Sequence, residues 1–541
     1  MCDERLKKFK QTQESRHFKE KKSNEEDPFN KRRDPFLRDR DRIIYTRAFR
    51  RLKDKTQVYT SKKGAHYRAR LTHTIEVAQI ARSISTQLEL SNDLVEAIAY
   101  GHDIGHTPFG HAGERVLNDI LIGEDEMDEL IIKHRYYGFK HNFYSLKILD
   151  RNLTKYKDEK GEIIKGLNLN WQTLEGILKH TKIRKDLNFQ NGKSINCWNL
   201  KKYINKDREE GNLYFKNKYS VTLEGQVVAI ADEIAQIEHD LDDGLRNNKV
   251  RLTVDELIRK ISDLKLEEKD ENIKKLKNSI CSLEETKEEG PYKEDNLVKS
   301  IIDYFIRDTV NKSLMNRDKI EEVIEKKDEK MIFKGKIIEF SENGNKIYKE
   351  LKKIVHSRIL TSYEVARFDW KARFIIRRLF KAYYSNPRQM PEYILERMFK
   401  EVKKTIDESK IRFYFETDEK IEELKEIDYK NDREYFESYI KILKLDSKNL
   451  NIKKIVFVCT DTEEVIKFCF KDEIKKLFSD EKLNSYFFKK NSELNTLNQK
   501  SKKLLVELNY IYIFSIIEHI AGMTDSFARE EYKALYLRDY E

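Results

Sequence analysis

The chain has 541 residues, 38% of them charged and 39% hydrophobic, with 107 Lys and Arg against 96 Asp and Glu. That length exceeds one simple core, and six prolines with 18 glycines leave long helices few breakers. No apolar run suggests a bilayer span, the charged first thirty residues exclude a secretory signal, and five scattered cysteines without a CxxC pair fit a reducing, cytoplasmic setting.

Residues 1–30 read as a basic, flexible arm. Positions 1–70 hold 23 Lys and Arg against 11 Asp and Glu, whereas the remaining 471 residues hold 84 against 85. The positive excess is therefore N-terminal, where it suits phosphates or nucleic acid. From Asp34 the chain reads as helical, with Ile43, Ile44, Ala48 and Leu52 spaced for one buried face. A second helix is expected over 72–88, with Val77, Ile80, Ala81, Ile84 and Leu88 inward and His73 in its first turn. Ser91 or Asn92 caps a third, ending at Gly101. Pro108 and Gly110 imply an irregular loop carrying His106 and His111, followed by helices over 119–135 and 142–150. A short helix over 171–180 ends in Lys179 and His180, and 186–217 reads as an insertion with a hairpin. Leu223–Leu241 is a strong helix carrying Asp232. Residues 265–295 read as a highly charged connection, coiled or solvated, 454–459 as the clearest strand, and 504–521 as a late apolar helix. The fold class is all-α with a minor β element in the C-terminal half. A catalytic core is expected over 31–250, and a helical region over 251–541 whose end packs back on that core.

Eight of the twelve histidines lie between His66 and His180. His73, His102, Asp103 and Asp232 form the pattern His…His-Asp…Asp, each on or beside an apolar helix. Imidazole and carboxylate together suit Mn²⁺, Mg²⁺, Fe²⁺, Zn²⁺ or Ni²⁺, and the set does not choose among them. Such a cation polarises a phosphoryl oxygen and acidifies bound water. His111 is placed to donate a proton if Glu114, three residues on, orients it. Arg70, at the entrance of the His73 helix, and Lys179 are candidates to hold phosphates. A metal-dependent phosphate-ester hydrolase is the reading these residues favour.

The residues Ala48-Phe49-Arg50-Arg51-Leu52, Lys55-Thr56-Gln57-Val58, Arg70-Leu71-Thr72-His73-Thr74-Ile75-Glu76-Val77, the His102–Glu114 segment, Leu174–His180 and Ala231-Asp232-Glu233-Ile234 resemble the HD-domain deoxyguanosine triphosphate triphosphohydrolases. Asn386-Pro387 and Ala521–Ala528 extend the likeness in patches. The resemblance implies a helical HD-domain fold, a homo-oligomer (hexamer or tetramer), and hydrolysis of a dNTP, dGTP first, to deoxynucleoside and intact triphosphate. It implies His73, His102, Asp103 and Asp232 as metal ligands and His111 with Glu114 as the catalytic pair. Gln57 would sit near the sugar, Arg70 on the α-phosphate, His106 and His141 in the site, Lys179 at the phosphate tail and Asp240 beside the sugar. An allosteric nucleotide and, through the basic arm, single-stranded DNA are candidate partners, and the apolar runs predict no membrane partner. The family commonly places a tyrosine four residues after the metal aspartate; here that position is Gln236. Competing readings are an HD phosphohydrolase of a ribonucleotide, signalling nucleotide or nucleic acid, and a nucleotide- or nucleic-acid-binding regulator.

Overall fold

A computed structural model describes residues 4–12, 16, 34–56, 69–128, 138–181, 187–189, 193–195, 204, 213–214, 217–246, 252–267, 270–285, 290–327, 330–409, 411–416, 421–423, 440, 443–444, 454–459, 465–469 and 497–537. The chain divides into two compact units. The first comprises Met1–His111, Lys140–Lys185 and Asn199–Ala372; the second comprises Ala112–Phe139, Asp186–Trp198 and Arg373–Glu541.

In the first unit the helices Arg70–Gln87, Asn92–His102 and Leu223–Arg246 pack on one another. Their inward residues recur at three and four positions, as helical packing requires: Val77, Ala81 and Ile84; Leu94, Val95 and Ile98; Val227, Ala231 and Ile234 are all buried. Pro35–Ile44 and Trp171–Lys179 pack on Asn92–His102, and Pro291–Met315 packs on Leu223–Arg246. A Cβ on Gly101 would run into Ile177, so glycine there sets how closely two of these helices approach. Two antiparallel two-stranded ribbons complete this unit, Tyr156–Lys157 with Ile163–Ile164 and Ile324–Lys327 with Lys330–Phe333.

The helical stretch expected from Asp34 onward forms two helices. Asp34 caps Pro35–Ile44 by accepting from Phe36 N and Leu37 N, and Thr46 then turns extended. The Thr46 hydroxyl donates to Ile43 O at 2.8 Å and accepts from Phe49 N at 3.0 Å, closing one helix and opening Arg47–Arg51. Within the charged segment 265–295, read as a coiled or solvated connection, a packed helix forms. Ile273, Leu276, Ile280 and Leu283 line one buried face of Glu271–Glu285, which packs on Pro291–Met315.

The described part of the basic arm is docked rather than loose. Leu6 and Phe9 are buried, and Phe9 meets Phe333 edge-on at 5.2 Å. Arg16 pairs with buried Asp39 at 2.6 Å. Gln11 N donates to Glu224 Oε1 at 2.9 Å, and Ser91 N donates to the same oxygen at 3.2 Å. Burial pushes the Glu224 carboxyl up to about 7 from 4.5. The folded protein thus holds a proton that the unfolded chain has released. Stability from this group is fully present below pH 4.5 and is lost as the pH rises to about 7. The loss is roughly 3 kcal/mol at about 1.4 kcal/mol per pH unit. Glu224→Gln is expected to flatten that fall, read as a smaller difference between melting temperatures at pH 5 and pH 8 than the wild type shows.

In the second unit the four-stranded antiparallel sheet runs in the order Val465–Cys469, Lys454–Cys459, Ile411–Glu416, Ile421–Glu423. The expected strand over 454–459 is therefore central, with Phe457 opposite Phe413 on one side and Ile466 on the other. The hairpin expected within 186–217 joins Leu187–Phe189 to Lys193–Ile195. Helix Leu497–Ala521 packs on Glu392–Ser409. Contrary to the reading that no apolar run is long enough, Lys503–Ala521 has the length and composition to cross a membrane. Its apolar window is 94% buried, as a core helix would be.

Candidate metal centre

Three helices of the first unit bring four side chains together. His73 sits in the first turn of Arg70–Gln87, His102 is the last residue of Asn92–His102, and Asp103 caps that helix end. Asp232 comes from the middle of Leu223–Arg246. The turn after Asp103 is pinned by Ser145, whose hydroxyl donates to His102 O at 2.8 Å and accepts from Gly105 N at 2.9 Å. A Cβ on Gly105 would collide with the His141 carbonyl and Ser145, so only glycine lets these segments meet. The partial negative charge at a helix C-terminus also favours a cation beside His102 and Asp103.

His73 Nε2 lies 3.1 Å from Asp232 Oδ1 and 3.9 Å from Asp103 Oδ2. His102 Nε2 lies 3.3 Å from Asp103 Oδ1 and 3.8 Å from Asp232 Oδ1. The other nitrogen of His102, Nδ1, donates to Ala99 O at 2.6 Å. That fixes the tautomer, so Nε2 carries a bare lone pair. It is buried, makes no hydrogen bond, and faces two carboxylates. Lone pairs converging with no proton between them are repulsive until a cation occupies the space, so the residues fit a divalent metal. Burial would raise Asp103, yet His102, His106 and Arg70 hold it well below the usual carboxylate range. Asp232 is likewise depressed against its burial, by His73 and His102, while burial keeps His73 neutral by lowering it. Both carboxylates are therefore ionised and His73 stays uncharged, as metal ligation requires. Asp232 is the one of the four whose side chain keeps substantial exposure, 18%, so the centre opens beside it.

Arg70 adds an anion site. It is buried, and its Nη1 donates to Asp103 Oδ2 at 2.6 Å. Its Nε and Nη2 are buried with no hydrogen-bond partner. A guanidinium with open donors suits the paired oxygens of a phosphate. His106 Nε2 lies 3.1 Å from Asp103 Oδ1, and its ring stacks on His141 at 3.8 Å. The His111 ring is 5.1 Å from His106 and 6.0 Å from His141. His141 Nε2 is 3.1 Å from His180 Nε2. Burial, with His102 and His141 beside it, takes His180 down to about 3.

The HD domain family matches residues 70–237, which begin at Arg70 and span all four clustered side chains, and a phosphohydrolase-associated domain matches 338–410. A deoxyguanosinetriphosphate triphosphohydrolase-like protein of Rickettsia rickettsii (strain Iowa) is 36% identical over 363 residues, covering 66% of this chain and 82% of that protein. One of the same name from Bartonella tribocorum is 36% identical over 390 residues, covering 71% and 84%. The chain belongs to the HD-domain deoxyguanosinetriphosphate triphosphohydrolase-like family. It is thus an HD-domain phosphohydrolase with a His/Asp metal centre.

Within this family member, several residues lie otherwise than the sequence suggested. His111 is not on a loop: Phe109 and Gly110 both take positive φ and end the loop, and helix Gly110–Leu121 carries His111 and Glu114 one turn apart. No helix begins at 119. Lys179 is not held open for a phosphate tail. Its ammonium pairs with Glu175 at 2.7 Å and donates to Tyr214 O and Tyr219 O, filling its three donors. Gln236 is exposed on the Asp232 helix. Asp240, two turns beyond Asp232, is buried, and burial pushes it up to about 7. Gln57 lies outside the described residues.

Sequence reasoning missed three residues. His239 Nδ1 lies 3.0 Å from His73 Nδ1, and its Nε2 pairs with Glu76 and, at 3.0 Å, with Glu238. Although burial disfavours its charge, hydrogen bonds to Glu238 and Glu76 push His239 up to about 9. The signal was present as spacing: Glu76 follows His73 by three residues and His239 follows Asp232 by seven, which are same-face intervals.

Proposed function

We propose that this centre hydrolyses deoxynucleoside triphosphates, dGTP foremost, to deoxynucleoside and inorganic triphosphate. The observation that carries the reading is Arg70, whose guanidinium joins the metal-site carboxylate Asp103 and keeps two buried donors open. The names of the relatives support the nucleotide class. His73, His102, Asp103 and Asp232 would hold the divalent cation, Mn²⁺ or Mg²⁺ foremost, which when bound supplies Lewis acidity and an acidified water. Arg70 would donate Nε and Nη2 to oxygens of the α-phosphate. Water oxygen bonds to the α-phosphorus while the bond from phosphorus to the 5′-oxygen breaks. His111 would give its proton to that leaving oxygen, with Glu114 orienting the ring. Triphosphate departs intact, which separates this reaction from one that yields pyrophosphate.

Product analysis tests the reading. Each dNTP and GTP, incubated singly and mixed with Mn²⁺ or Mg²⁺, is expected to yield deoxynucleoside and intact triphosphate from a dNTP. Pyrophosphate or monophosphate as product would overturn it. The exposed Gln236 favours one extension, acceptance of GTP, because a glutamine does not present the ring that would pack on a deoxyribose. His111→Ala is expected to lower kcat by about 10²–10⁴-fold, the usual worth of a positioned proton donor. Mn²⁺ affinity should stay unchanged in that variant, and a loss of binding there would reassign His111.

A further inference from the structure

We infer that Lys55 is a positioning residue that sets the spacing between the phosphate-holding Arg70 and the proton donor His111. The inference deepens the reaction proposed above and rests on it. Lys55 follows the short turn Leu52–Asp54 in extended backbone, with φ −120° and ψ 129°. Its main chain and its side chain then go to different segments. The Lys55 carbonyl accepts from Arg70 N at 3.0 Å, and Thr56 pairs with Ala69 in an antiparallel bridge, so the main chain fixes where the Arg70 helix begins. The Lys55 ammonium donates to His106 O. Lys55 is 4% exposed, and a lysine is seldom buried so fully without a fixed partner.

His106 O lies midway along the loop that runs from Asp103 to His111. Ser145 holds the start of that loop, at His102 O and Gly105 N. His106 N donates to Asp103 O at 3.1 Å, and Thr107 Oγ1 donates to Gly110 O at 2.9 Å, where the helix carrying His111 begins. Lys55 supplies the tie between these two closures. In the proposed reaction Arg70 holds an oxygen of the α-phosphate, and His111 protonates the 5′-oxygen on the same phosphorus. The two donors therefore serve atoms bonded to one centre, and a shift of about 1 Å in either costs up to about 10²-fold in rate. A backbone carbonyl is present whatever residue stands at 55. Substitution there leaves the start of the Arg70 helix tied and frees the loop alone.

The test compares Lys55→Met in the full chain, a near-isostere without the donor, with Lys55→Arg, which keeps a charged one. Amide hydrogen exchange read by mass spectrometry needs no substrate and reports the tie directly. Lys55→Met is expected to speed exchange over residues 104–110 and to leave it unchanged at the start of the Arg70 helix. It is expected to lower kcat by about 10–100-fold and to keep KM and Mn²⁺ affinity within a few-fold of wild type. Lys55→Arg is expected to recover most of both losses. Wild-type kcat and loop exchange in Lys55→Met, or no recovery in Lys55→Arg, would overturn the inference. So would a rise in KM at unchanged kcat, which makes the ammonium a phosphate contact. A fall in Mn²⁺ affinity in step with kcat also sinks it, since Lys55 is then a brace of the whole fold. If Lys55→Met does not fold, Lys55→Gln takes its place under the same criteria. Release of pyrophosphate or monophosphate by the wild type brings down the proposed reaction by that product alone, whereas unchanged loop exchange in Lys55→Met removes Lys55 whatever the product.

Discussion

An Asp103→Ala chain is expected to lose hydrolysis to background, to bind Mn²⁺ far more weakly, and to melt earlier. Asp103 lies within 3.3 Å of His102, 3.1 Å of His106 and 2.6 Å of Arg70, so one carboxylate serves metal, loop and guanidinium together. Removing it takes away a metal ligand and also strands the buried Arg70 charge. Breaking a buried pair by deleting one partner costs about 3–5 kcal/mol. The loss in affinity should exceed the roughly 10–100-fold that follows from losing a partner of a ligand. Parallel measurement of activity, Mn²⁺ affinity and melting temperature separates these contributions. An Asp103→Ala protein with wild-type Mn²⁺ affinity would remove Asp103 from the centre.

Arg70→Gln is expected to reduce kcat/KM by about 10²–10³-fold, the scale for deleting one preorganised donor at a developing charge. Metal binding should survive or tighten, because a guanidinium beside Asp103 repels an incoming cation. Arg70→Lys should recover little. An ammonium is a point charge without the fork needed to hold Asp103 and two phosphate oxygens at once. Steady-state kinetics with dGTP, set beside the Mn²⁺ titration, checks this. Falling activity with intact metal affinity marks an anion-holding role, whereas a parallel loss of both would recast Arg70 as a brace for Asp103.

The helices that build the centre were legible because their apolar residues repeat at helical spacing. His102 and Asp103 were legible because they follow Gly101 at the end of such a run. The break at Thr46 was hidden, since Ile43, Ile44, Ala48 and Leu52 keep a helical period across it and only a hydroxyl bonding in both directions reveals it. The contacts that hold Lys179 were not legible, because the carbonyls of Tyr214 and Tyr219 lie far along the chain from it and Glu175. The central position of 454–459 depends on Ile411–Glu416, a pairing across some forty residues that local pattern does not encode. In 271–285 the periodic Ile273, Leu276, Ile280 and Leu283 were masked by surrounding charge, though they alone decide which face is buried.

The tether of His102 to Ala99 O has a consequence for how the centre ages under mutation. A backbone carbonyl is common to every amino acid, so no single codon change at position 99 can delete that acceptor. The anchor of His73 is a side chain and can be lost in one step. Genetic drift therefore acts unevenly on the two imidazoles. Substitution at position 239 removes the ring neighbour of His73, while the orientation of His102 is inherited with the helix itself.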